Sequence, residues 1–116
     1  MSDGLTRSEV SAFLGRGTSF NGRLLFEGTV RIDGTFTGDI FTRDTLIIGP
    51  DAEVRAQIDA DTVIVAGNFE GEIRAMSRVE IQPEGVLRGE VSSPVLKIEE
   101  GGLFEGKTKM LPDQEA

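Results

Sequence analysis

Apolar and polar residues alternate along most of this chain, and the alternation itself repeats. The clearest copy is Val30–Arg31–Ile32–Asp33–Gly34–Thr35–Phe36–Thr37–Gly38–Asp39–Ile40, with Val30, Ile32, Phe36 and Ile40 on one side. A period of two predicts strands with one face turned inward. The same skeleton returns as Leu46, Ile48, Val54, Ile58 and as Val63, Val65, Phe69, Ile73. It returns again as Val79, Ile81, Leu87, Val91 and as Leu96, Ile98, Phe104, Thr108. A half-copy, Phe20–Gly22–Leu24, stands before the first. The copies begin at 30, 46, 63, 79 and 96, at intervals of 16, 17, 16 and 17. No copy has a helical period, so βαβ crossovers are excluded. A repeat of this length predicts an all-β solenoid, a parallel β-helix of about six coils counting the half-copy.

Stacking has a consequence that can be checked in the sequence. If each coil lies about 4.8 Å above the last, equivalent residues form columns. One inward column reads Phe20, Phe36, Val54, Phe69, Leu87, Phe104, and the next reads Leu24, Ile40, Ile58, Ile73, Val91, Thr108. Between them stand Gly22, Gly38, Ala56, Gly71, Gly89 and Gly106, as a crowded corner requires. The outward column beside the Phe positions ends Arg55, Glu70, Arg88, Glu105, alternating in sign as a charge ladder would. An antiparallel meander gives no reason for such columns. Length varies only where Pro and Gly stand, at Gly49–Pro50, Pro83–Gly85 and Gly101–Gly102, so insertions are confined to one corner.

Composition narrows the chemistry. The chain has 116 residues, with no Cys, His, Trp or Tyr, and a net charge of −8. Disulfides, thiolate metal sites and histidine bases are therefore absent. The acidic balance argues against sequence-blind nucleic-acid binding. The N-terminus has no signal-peptide pattern, and no apolar run approaches a membrane span, so a cytoplasmic setting is expected. Acid pairs such as Asp59 with Asp61 and Glu99 with Glu100 fall in corners and read as solvated surface. No catalytic, cofactor-binding or metal-ligating residue is expected. Ile48–Gly49–Pro50–Asp51–Ala52–Glu53–Val54 has the look of the hexapeptide repeat of left-handed β-helix acyltransferases. Its steps are irregular, its coils are short of eighteen residues, and the histidine base of those enzymes is missing.

The chain is expected to divide into a flexible N-terminal tail at 1–16, a β-helix domain at 17–110 and a flexible C-terminal tail at 111–116. Within the first tail, Val10, Phe13 and Leu14 are spaced as a short amphipathic turn and are candidate contacts to a membrane or a partner.

Leu14–Gly15–Arg16–Gly17–Thr18–Ser19–Phe20–Asn21–Gly22, then Phe26–Glu27–Gly28–Thr29–Val30–Arg31–Ile32–Asp33–Gly34, closely resembles the bactofilins. Leu46–Ile48–Gly49, Ile98–Glu99 and Phe104–Glu105–Gly106 match the same family, and the resemblance covers 14–110. It implies a right-handed parallel β-helix of triangular section, and polymerisation without nucleotide into non-polar filaments by end-to-end stacking. It also implies a scaffold role that localises client proteins in cell shape, polar organisation or chromosome segregation, with membrane targeting through the N-terminal segment in many members. The repeat supports a polymer independently, because a solenoid has two open ends and monomeric solenoids need polar caps. The C-terminal interface is expected at Leu103, Phe104 and Met110, and the N-terminal one at Phe20, Leu24 and Phe26. The alternative expectation is a monomeric solenoid that docks partners on its faces.

Overall fold

The computed structural model describes residues 10–110, all of it strand, turn and corner. β1 (Val10–Leu14), β3 (Thr29–Ile32), β5 (Thr45–Ile48) and β9 (Leu96–Ile98) are short. β2 (Ser19–Phe26), β4 (Thr35–Thr42), β8 (Val86–Ser93) and β10 (Leu103–Met110) have eight residues each. β6 (Glu53–Val65) and β7 (Asn68–Ile81) are long, because there the chain stays extended through a corner. Every strand pair is parallel. The result is the expected all-β parallel solenoid.

Two stacks carry the ladder. One runs β2, β4, the first part of β6, the first part of β7, β8 and β10. The other runs β1, β3, β5, the rest of β6, the rest of β7 and β9. Phe20, Phe36, Val54, Phe69, Leu87 and Phe104 fall in one unbroken register, so the chain makes five turns between the first and the last.

Each coil has three corners, and small residues line all of them. The glycine column divides the first stack into two segments. Gly38 shows why: its φ is +134°, and a Cβ there would run into the carbonyl oxygen of Gly22 one coil above. Ala56, in the same column, is not among the residues with positive φ. The second corner holds the buried Thr42, Ala60, Ala75 and Ser93. Its hydroxyls hold the turn, Thr42 Oγ1 donating to the Gly28 carbonyl at 2.7 Å and Ser93 Oγ to that of Val95 at 2.8 Å. The third corner has no counterpart among the columns legible in the sequence. Thr18, Gly34, Ala52, Gly67 and Gly85 each accept, at the backbone carbonyl, an N–H from the residue that opens the next coil's first segment.

The core is the inside of these columns. Val30, Ile32, Phe36, Leu46, Ile48, Val63, Val65, Val79, Ile81 and Leu87 are fully buried. Phe20 and Phe36 stack with ring centroids 5.4 Å apart and planes 7° from parallel, as successive rungs should. The outward ladder forms in part: Arg55 Nε lies 3.5 Å from Glu70 and Arg88 Nε 3.1 Å from Glu105, while the Glu70–Arg88 step is not bridged. Of the expected flexible tails at 1–16 and 111–116, residues 1–9 and 111–116 lie outside the described residues. Val10–Leu14, inside the stretch assigned to the first tail, is a strand that pairs with β3 and sets Ala12 beside Val30 and Leu14 beside Ile32.

Candidate functional site

The columns change character only where they stop. Phe36, Val54, Phe69 and Leu87 are buried, but Phe20 and Phe104, the two ends of that column, are half-buried. Ile40, Ile58, Ile73 and Val91 are buried, but Leu24 is half-buried and Thr108 is exposed. Among the described residues each interior rung is covered above and below, and an end rung on one side only. Phe20, Leu24 and Phe26 sit together on β2 against the core, at the open N-terminal end of the first stack. Phe26 heads the corner column that continues as Thr42, and by register Met110 closes it below Ser93. Both ends of that column therefore carry a bulky residue type where the interior carries small ones.

At the other end, Phe104 packs against the core, as Leu96 does. Leu103, expected in the same surface, stands in the outward register of Val86 and is 43% exposed. The side chain of Met110 lies outside the described residues, as do those of Val10, Phe13 and Leu14. Two further residues belong to this end. Leu96 and Ile98 close the second stack on β9, and Ile98 is 46% exposed although its equivalents Ile32, Ile48, Val65 and Ile81 are buried. Their signal in the sequence is that both are last members of apolar columns.

Other surfaces converge less. An open groove of about 540 Å³ follows the outward side of the second segments, with Leu25 and Phe41 at one end and Lys109 at the other. Among the described residues no group of three or more acidic side chains is placed to hold a metal ion. No helix among them is long and apolar enough to cross a membrane. At one corner Arg31 is paired with Asp33, Nε to Oδ2 at 2.8 Å and Nη2 to Oδ1 at 3.3 Å. That hydrogen bonding, helped by Coulomb attraction and opposed by partial desolvation, holds the Arg31 guanidinium above its ordinary pKa. Asp33 is 8% exposed, and Gly49 below it leaves the space its carboxylate fills. The pair fixes a corner.

A parallel β-solenoid whose described residues leave an apolar cross-section half-covered at each end is thus the class that fold and site define. Comparison with known proteins places it more closely. The family described as "Bactofilin: Polymer-forming cytoskeletal" matches residues 12–109, and the chain belongs to that family. It is 31% identical over 90 residues to Bactofilin BacP of Myxococcus xanthus (strain DK1622), covering 78% of this chain and 38% of that one. It is 27% identical over 97 residues to Bactofilin BacO of the same organism, covering 84% of this chain and 77% of that one. The chain thus spans well under half the length of BacP. No solved structure matches.

Proposed function

We propose that the chain is a cytoskeletal scaffold subunit that polymerises, without nucleotide, by stacking the open ends of its β-helix on those of other copies. The observation that carries this is the change of burial along single columns. The same residue type that is sealed in the interior is left partly open at Phe20 and Phe104. Burying such surface is the main driving force for association, and the end strands β2 and β10 each pair on one side only among the described residues, which leaves a backbone edge that a second copy would satisfy. The two ends differ in residues, so end-to-end joining of like ends gives the non-polar filament that the family resemblance implies. In this reading the faces are left for client proteins, the protein works inside the cell without catalysis, and the N-terminal segment, with Val10, Phe13 and Leu14, provides any membrane contact.

Negative-stain microscopy of the purified protein without nucleotide tests the core of this. Filaments are expected. Replacing Phe104 with Arg is expected to give short oligomers or monomers by sedimentation. Undiminished filaments from that variant would show the C-terminal contact to be elsewhere. A wild-type chain that stays monomeric at high concentration favours instead a monomeric solenoid whose faces dock partners.

A further inference from the structure

The outward sides of the coil are not alike. The second segments carry a charge on every rung, from Arg23 to Lys109, and the first segments do so from Glu53 onward. The third segments differ. Their two central rungs are Thr45 with Ile47 and Thr62 with Ile64, which carry no charge. Ile47 and Ile64 are half-buried, alternate with the buried core positions Leu46, Ile48, Val63 and Val65, and lie side by side in register. Neither isoleucine belongs to the buried core.

Charge frames this apolar window above and below. In the same outward column Arg31 precedes Ile47, and Glu80 follows Ile64. Asp33 takes Nε and Nη2 of Arg31, whose side chain is part-exposed, so the donors of Nη1 are not used by this pair. Glu80 meets Arg78 Nε through Oε2 at 2.7 Å, which leaves Oε1 to accept.

We propose that this face pairs laterally with the same face of a second copy lying antiparallel. A two-fold axis along the strands reverses the order of rungs but keeps the columns in line. Ile47 then packs over Ile64 of the second copy, and Arg31 comes opposite its Glu80, twice by symmetry. The parallel arrangement sets Arg31 over Arg31 and Glu80 over Glu80, which like charges disfavour. From Arg31 to Glu80 the patch is three strand spacings, about 14 Å, deep. Across strands of about four residues this is a patch of roughly 14 by 13 Å, about 200 Å² and far below the roughly 800 Å² per partner of a stable complex, so free subunits do not pair through it. A filament presents it on each subunit, and weak contacts add along the polymer. This pairing rests on the end-to-end reading and adds an antiparallel bundle to it.

The chain has no cysteine, which makes the orientation readable. Ile47→Cys and Ile64→Cys proteins, prepared separately, are mixed, polymerised and mildly oxidised, and the disulfides are identified by mass spectrometry. Mixed 47–64 links are expected in excess. Filaments that yield only 47–47 and 64–64 links overturn the orientation, and filaments that yield none overturn the pairing. Both side chains point outward, so an Ile64→Lys variant retains its core. It is expected to show single filaments of unchanged length by microscopy, and pairs that persist in it would also overturn the proposal. Wild-type filaments are scored first in the same micrographs. Their absence sinks the end-to-end reading, and the lateral one with it.

Discussion

At single residues, this fold is governed by space at the corners. Gly38 combines a left-handed φ with a backbone oxygen where a Cβ would go, and Gly89 repeats both with the carbonyl of Gly71. Alanine at either position strains its own backbone and pushes the coil above. Gly38→Ala is expected to destabilise by about 1–3 kcal/mol from the backbone alone, with the clash adding to it. Thermal unfolding of that variant beside Ala56→Gly checks this. Ala56 lacks the positive φ, so its replacement should cost only about 1 kcal/mol, through the unfolded chain. The Arg31–Asp33 pair acts through charge instead of space. A guanidinium pKa raised by folding contributes stability that is complete below the unfolded value and is lost only as pH climbs past the folded one. Both lie far above neutrality. Titrating denaturant stability around neutral pH should therefore show no slope from Arg31, and a slope lost in Arg31→Gln would contradict that.

Strands are where burial becomes energy. Phe69 lies in the middle of its column, 2% exposed, between Val54 above and Leu87 below. Phe69→Ala is expected to cost about 3–5 kcal/mol, with Phe20→Ala clearly milder in the monomer because Phe20 is covered on one side only. Urea unfolding of the two variants, under conditions that keep subunits apart, measures the difference. The same column explains how much of the fold is legible in the sequence. In-register parallel stacking puts equivalent residues on top of one another, so Phe20 to Phe104 and Gly22 to Gly106 stand out as columns from their spacing alone. β1 does not, because the alternation Val10–Ala12–Leu14 passes through an alanine, and Val10, Phe13 and Leu14 can equally be counted at helical spacing. The corner of Gly34, Ala52, Gly67 and Gly85 is hidden by loops of unequal length. Ile47 and Ile64 are hidden inside the continuous apolar runs Leu46–Ile47–Ile48 and Val63–Ile64–Val65, where parity alone does not tell outside from inside. Leu103 shows the converse: its apolar character and its place next to Phe104 suggest the end surface, but strand parity turns it outward.

For the whole molecule, the decisive quantity is how sticky each end is, and Thr108 reports on it. Its column is Leu24, Ile40, Ile58, Ile73 and Val91 until the last coil, where a hydroxyl replaces a branched chain and is exposed. Among the described residues Thr108 has no rung beneath it, so none of them requires this exception. If the C-terminal end is buried on another copy, the hydroxyl lowers the apolar area gained there and keeps that junction weak. Thr108→Ile replaces it with apolar carbon at a position that assembly would cover. Each buried methylene adds about 0.8 kcal/mol, so a roughly three- to tenfold fall in the concentration needed for filaments is expected, measured by sedimentation across a dilution series. Thr37→Ile supplies the control, since Thr37 faces outward on a first segment, far from the C-terminal end and not on an end rung, and should leave the threshold where it was. Equal thresholds for wild type and Thr108→Ile would mean that the inward column at the C-terminal end stays wet in the polymer, and that this junction is made by the backbone edge of β10 and Phe104 alone.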